Sequence, residues 1–301
     1  MKRSSRPADP PLMRSMLFVP GDQARMIEKA GSLPADALIL DLEDGVAAKD
    51  KPHARVTVRN ALTARVLGDR SVWLRPNALM TGLLEDDLLA CVLPGLTGIV
   101  LPKTRVAADV ALVDGVLRAL ERARALSTPL LLALLIETPQ AVLNANEIPH
   151  ASARTAALLF GADDLAAEAG LTRTERNEEV QAARAHIALA AHARGCQAID
   201  LVYAKVRDLE GLTRECREGK ALGYTGKQVI HPDQLEPVHA IFSPSQDEIA
   251  RAHRIVDAYR AAPRGALVVD GRMVDAPIVR QAERVLQLAA RIEAQDGARR
   301  P

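Results

Sequence analysis

The chain has 301 residues, 48% of them hydrophobic, and a net charge of +1 at pH 7, which suits a globular protein with a sizeable core. Aromatic residues make up only 2% and no basic block occurs, so nothing favours stacking on bases or tracking phosphates, which argues against nucleic acid. No stretch approaches the roughly 20 apolar residues of a membrane span. The three cysteines, Cys91, Cys196 and Cys216, form no CxxC pair and no zinc spacing, which together with the polar, proline-rich start MKRSSRPADPPLMR leads to the expectation of a cytoplasmic protein without a secretory signal.

Residues 1–13 read as a frayed tail. Short apolar runs then alternate with helical patterns. The expected strands cover 15–20, 37–44, 71–77, 98–103, 130–138, 156–164, 198–203 and 227–232. Between them lie segments with helical periodicity, such as VALVDGVLRALERARAL and NEEVQAARAHIALAAHARG, the second stopping at Gly195. Continuous apolar strands separated by helices imply a parallel sheet covered on its outer side. Eight such units predict a TIM (β/α)8 barrel over residues 14–240. A doubly wound sheet is the alternative, but its glycine-rich first turn is missing from LFVPGDQARM.

The pattern changes after the eighth strand. SPSQDEIARAHRIVDAYRAA reads as a capped helix, RGALVVDGRMVD as a hairpin turning at Asp270-Gly271, and PIVRQAERVLQLAARIEAQ as a last helix with Pro277 at its start. Residues 241–301 are therefore expected to form a C-terminal helical and hairpin extension, a lid or subunit-contact arm.

In a barrel, polar residues at the carboxyl ends of the strands converge on one mouth. Here those ends carry Asp41, Glu43, Asp44, Arg75, Asn77, Lys103, Glu137, Asp163, Asp164, Tyr203 and His231. Carboxylates from neighbouring strands, with no His or Cys among them, suit a hard cation such as Mg²⁺, or Mn²⁺ in its place. Glu137 and Asp164 are the two expected ligands, although either can instead cap the following helix or pair with an arginine. Asp163, adjacent in sequence to Asp164, is expected to point to the other side of the strand. Asp41, Glu43 and Asp44 can hold metal-bound waters, cap a helix, or pair with Lys103 or Arg75. Arg75 offers a planar fork that matches a carboxylate or a carbonyl oxygen becoming anionic, and equally a salt bridge to the DLED acids. No G-x-S-x-G, Walker-type loop or Cys beside a His supplies a nucleophile.

In order along the chain, RSMLFVPG, LILDLEDGVAAKDK, LRPN, GIVLPKT, LIETPQAVLN, FGADDLA, GKQVIHP and DGRMVDAP resemble the HpcH/HpaI aldolase/citrate lyase family, in its citrate lyase β-subunit-like and malyl-CoA lyase branch. The resemblance implies a TIM barrel whose C-terminal extension reaches a neighbouring subunit in a homotrimer or hexamer. It implies that Glu137 and Asp164 ligate Mg²⁺, that Arg75 binds substrate, and that Glu137 also touches it. Asp275, which by itself reads as an N-cap before Pro277, becomes by this resemblance the catalytic acid/base delivered to a neighbour's mouth. The implied partners are an acyl-CoA or hydroxyacyl-CoA and a 2-oxo acid. A class II pyruvate aldolase acting on free hydroxy-oxo acids and a citrate lyase β-subunit using an acyl-carrier-protein thioester are the alternatives. Asp163 stands where much of the branch has Glu, and DLEDGV replaces DLEDAV; neither alters an expected ligand.

Overall fold

A computed structural model describes residues 10–261 and 266–298. It divides into two compact units between Val238 and His239. The first holds eight parallel strands, β1 (Ser15–Pro20), β2 (Ala37–Asp41), β3 (Ser71–Arg75), β4 (Gly98–Leu101), β5 (Leu131–Ile136), β6 (Thr155–Phe160), β7 (Gln197–Asp200) and β8 (Gly226–Val229), closed in sequence order with β8 pairing back to β1. The intervening helices are α1 (Ala24–Ala30), α2 (Lys51–Thr63), α3 (Leu84–Cys91), α4 (Ala107–Ala123), α5 (Pro139–Leu143), α6 (Ala162–Ala169), α7 (Gln181–Arg194) and α8 (Leu209–Leu222), followed by α9 (Leu235–Phe242). This is a TIM barrel, as the alternation of apolar runs and helical segments predicts.

The strands stop earlier than the apolar pattern suggests. Their registers end at Asp41, Arg75, Leu101 and Ile136, so Glu43, Asn77, Lys103 and Glu137 stand in the loops beyond. Asp163 and Asp164 are not on a strand at all but in the first turn of α6. An acidic first turn complements the partial positive charge of a helix N-terminus, which the apolar run ahead of it obscured. The N-terminal expectation also changes. Residues 1–9 lie outside the described ones, but Leu12 and Met13, placed in the tail by composition, are buried, and Pro11 O accepts from Gln197 Nε2 at 2.9 Å. Met13 packs into the barrel-interior cluster.

Inside the barrel Met16, Ala37, Ile39, Trp73, Val100, Ala133, Leu135, Ala157, Leu159 and Ile199 form one packed cluster. Side chains alternate between the two faces of a strand with a period of two, so each inward row carries its direction on toward the mouth. The rows Ala37–Ile39, Trp73, and Ala133–Leu135 continue in step to Asp41, Arg75 and Glu137. Outside, α2 lays Ala54, Val58 and Leu62 against the sheet, and α4 its Val110, Val113 and Leu117, each at helical spacing. Among the described residues no helix is long and apolar enough to cross a membrane.

The second unit contains α10 (Gln246–Ala261), the antiparallel pair β9 (Leu267–Val269) and β10 (Arg272–Val274), and α11 (Ala276–Ala298). Ser245 and Glu248 cap α10 reciprocally, each side chain accepting the other's backbone N–H, at 3.1 and 2.7 Å. The hairpin turns at Asp270 and Gly271, both at positive φ (50° and 72°), the conformation a two-residue hairpin loop requires. Ala252, Ile255, Val256, Val274, Val279 and Ala282 form its small core.

Candidate active site at the barrel mouth

A cleft of about 280 Å³ opens at the carboxyl ends of the strands, lined among others by Phe18, Asp41, Arg75, Glu137, Asp164 and Gln228. Glu43 and Lys103 stand at its edge, linked to Arg75 and Asp164 by charge contacts. The sequence-predicted acids of the barrel thus gather in one place; Asp163, expected to point away, also lines the cleft while pairing with Arg173 at 2.8 Å.

Arg75, at the end of β3, is held from β2. Its Nε and Nη2 each donate to Asp41 at 2.7 Å, a fork-on-carboxylate pair, and its guanidinium lies 4.6 Å from the centroid of the Phe18 ring. Asp41 is fixed in turn by the backbone N–H groups of Glu43 and Gly45, both at 2.9 Å. Burial opposes the charge on Arg75, but Asp41, together with the charges of Glu43 and Glu137, more than offsets this and raises the guanidinium pKa. Of the two readings open for Arg75, the salt bridge to the DLED acids is therefore formed. Arg75 nonetheless lines the cleft, with Nη1 3.2 Å from Glu43 Oε2.

Glu43 is buried, and burial pushes its pKa up against the lowering charge of Arg75. Its Oε1 accepts from Lys103 Nζ at 2.8 Å; its Oε2 lies 3.2 Å from Arg75 Nη1 but out of line, leaving a buried oxygen with no hydrogen-bond donor. Asp44 is over half exposed and is touched by Lys103 at 3.4 Å. Lys51 braces the loop below by donating to Leu42 O and Glu43 O at 2.9 Å and to Asn77 Oδ1.

Glu137 is the extreme case. Only 2% exposed, it has a pKa raised well above the ordinary carboxylate range, first by burial and then by the charges of Glu43 and Asp164. The N–H of Lys103 at 2.7 Å and the charge of Arg75 offset this only in part. The next helix is capped by Thr138, whose hydroxyl accepts from Ala141 N at 3.1 Å, so Glu137 is not spent as a cap. Gly161 lies directly behind it. A Cβ there would sit 2.4 Å from Glu137 Cβ and 2.5 Å from its Oε2.

These residues fit a hard divalent cation. The chemistry of the donor set is all oxygen, the buried acids outnumber the buried bases, and one buried carboxylate oxygen lacks a donor. Among the described residues no three or more His, Cys, Asp or Glu side chains are spaced to hold a metal by themselves. A cation held by Glu137 and Asp164 would thus complete its shell from water or substrate, as Mg²⁺ commonly does.

Other predicted positions have structural duties. Asn77 donates twice to Asp87, at 2.8 and 2.7 Å. Tyr203 donates to Asp208 at 2.5 Å, and His231 Nδ1 accepts from Asp233 N at 3.2 Å. Asp275 belongs to the second unit, where it precedes α11 and its Oδ1 accepts from Ile278 N at 3.3 Å, the N-cap geometry its sequence suggested. Sequence reasoning passed over Phe18 and Gly161. The inward alternation Met16, Phe18 would have pointed to the first, and a glycine just ahead of two acids to the second.

The chain is 38% identical to citrate lyase subunit beta of Escherichia coli K12 over 282 residues, 92% of this chain and 93% of the other. It is 35% identical to human mitochondrial citramalyl-CoA lyase, covering 93% and 86%, and 40% identical to the (3S)-malyl-CoA thioesterase of Cereibacter sphaeroides KD131, covering 87% and 89%. The crystal structure of CitE from Mycobacterium tuberculosis in complex with magnesium, acetoacetate and coenzyme A matches with a TM-score of 0.77 at 34% identity, over 94% of this chain and 99% of that one. The HpcH/HpaI aldolase/citrate lyase model matches residues 14–232, and the chain belongs to that family.

Proposed function

We propose that this protein is a Mg²⁺-dependent carbon–carbon lyase that cleaves or forms a 3-hydroxyacyl-CoA ester of the malyl-, citramalyl- or citryl-CoA type, exchanging it with an acyl-CoA and a 2-oxo acid. The observation that carries this reading is Glu137, a buried carboxylate beside Asp164 whose charge the protein's own cations leave under-compensated. The named activities of the relatives, and the magnesium, acetoacetate and coenzyme A of the M. tuberculosis CitE structure, support it.

Glu137 and Asp164 hold the cation, which supplies Lewis-acid polarisation of the oxo acid's carbonyl. Arg75, already oriented by Asp41, donates to the oxygen that becomes anionic and stabilises it. Asp41 keeps that fork from swinging toward Glu137. Asp275, contributed by a neighbouring protomer, takes the α-proton of the acyl-CoA in condensation; the carbon left with the electron pair attacks the carbonyl carbon. The alkoxide so formed takes a proton from solvent; in cleavage the hydroxyl gives that proton back to solvent, and Asp275 in its acid form protonates the α-carbon once the C–C bond has broken. Asp275→Asn is expected to abolish turnover while leaving metal binding unchanged; calorimetry showing lost metal binding in that variant would refute its assigned role.

The decisive experiment offers hydroxyacyl-CoA esters to the purified protein with Mg²⁺ and follows glyoxylate, pyruvate and oxaloacetate separately. Release of an oxo acid with an acyl-CoA is expected. Release of free CoA without an oxo acid would instead place the chain with the thioesterase, cleavage of free hydroxy-oxo acids alone with the pyruvate aldolases, and activity only on a carrier-protein thioester with citrate lyase β-subunits.

A further inference from the structure

Lys103 stands among the acids of the mouth with no part in the proposed chemistry. It follows β4 with φ at +48°, a left-handed conformation uncommon for a side chain other than Asn, Asp or His. The turn aims its N–H at Glu137 Oε1, 2.7 Å away. Its ammonium meanwhile sits 2.8 Å from Glu43 Oε1, 3.4 Å from Asp44 Oδ2 and 3.7 Å from Asp164 Oδ1. One residue thus reaches one expected metal ligand through its backbone and the other through its charge. Its side chain is 31% exposed, so the ammonium can withdraw toward water without opening the core.

We propose that Lys103 is the site's own counter-cation: its ammonium neutralises Glu43, Asp44 and Asp164 until a divalent cation displaces it, and this competition sets the metal affinity. The inference rests on the assignment of Glu137 and Asp164 as metal ligands. A positive charge within 4 Å of a ligand oxygen opposes a second cation there, and at the effective dielectric of a partly exposed site its removal tightens binding on the order of tenfold. A lysine that only braced the acids would have the opposite effect, because losing it would loosen the ligands and weaken binding.

The test is titration of Mn²⁺ into the full-length protein at pH 8 without substrate, read by electron paramagnetic resonance of the free ion. Lys103→Gly removes the ammonium and tolerates the positive φ, so the amide still faces Glu137; Lys103→Arg keeps the charge. Lys103→Gly is expected to bind about tenfold more tightly and Lys103→Arg to stay near the wild-type Kd. A Kd for Lys103→Gly equal to or weaker than wild type overturns the proposal, as does equal tightening in Lys103→Arg. If Lys103→Gly does not give a cooperative melt, Lys103→Met is read by the same criterion. Glu137→Gln and Asp164→Asn are titrated alongside. If both bind Mn²⁺ as wild type does, the ligand assignment fails and the proposal with it; if both lose binding while Lys103→Gly is unchanged, only the counter-cation role fails.

Discussion

Replacing Gly161 by alanine adds one methyl group at the place where β6 runs behind Glu137. The backbone there has φ −102° and ψ 90°, which alanine adopts freely, so the perturbation is purely steric. The new Cβ would lie 2.4 Å from Glu137 Cβ, 2.5 Å from its Oε2 and 3.3 Å from its Cδ. Rotating the carboxylate relieves the second contact but not the first, since Cβ is fixed to the backbone of the adjoining segment. The sheet bond from Gly161 N to Ile136 O, 3.1 Å, resists separation of the two strands. Overpacking of this kind costs about 1–3 kcal/mol. For a unit of this size that lowers Tm by roughly 2–12 °C. A carboxylate displaced from the cleft should also weaken Mn²⁺ binding by roughly 10–100-fold, the usual effect of disturbing the groups that orient a metal ligand. Thermal denaturation followed by circular dichroism, with Mn²⁺ titration on the same samples, reads both. A Tm within about 1 °C of wild type and a Kd within about twofold would show that Glu137 is not held against this glycine, and the packing assigned to the site would be wrong.

Two further perturbations separate stability from chemistry. Lys227 is fully buried, with Nζ 2.6 Å from Glu215 Oε1 and 3.6 Å from Asp200 Oδ2, so Lys227→Met breaks a buried ion pair and leaves Glu215 only its hydrogen bond from Asn177, which should cost about 3–5 kcal/mol. Mn²⁺ affinity should not change, and an unaltered denaturation midpoint would contradict the stabilising role of that network. Asp114 is held below the ordinary carboxylate range: burial raises its pKa, but hydrogen bonds from Arg118 and Arg154 more than reverse this. Its folded pKa is thus lower than its unfolded value of 3.8, so its contribution is fully present above that value and fades as pH falls through the folded pKa. The Tm gap between wild type and Asp114→Asn should be constant near neutrality and shrink below about pH 4; a gap that widens in acid would show the opposite sign of linkage.

Much of the barrel was legible in the chain because a strand buried on both faces has to be apolar throughout, and eight such runs separated by helices leave few ways to arrange a sheet. The period of two reaches further. In the structure it puts Asp41, Arg75 and Glu137 one step past Ile39, Trp73 and Leu135 on the inward row, a continuation the sequence reading did not draw. Strand ends were less legible, since an apolar run does not mark where ladder pairing stops. FGADDL reads as strand to its end, although the acids open a helix and Asp163 turns to Arg173.

What only the tertiary structure decided is which charges meet. Arg75 faced a choice between Asp41 and a ligand, and the pairing with Asp41, 34 residues away, depends on β2 and β3 lying side by side with Asp41 opposite Arg75 in register. Lys103 reaches Glu43 across 60 residues and turns its amide to Glu137 across 34, through a positive φ that no local sequence signal announces. Composition and spacing determine which groups arrive at the mouth, because burial and periodicity are local properties of a strand. Their pairing and protonation depend on distances between segments remote in sequence, and those distances exist only once the barrel has closed.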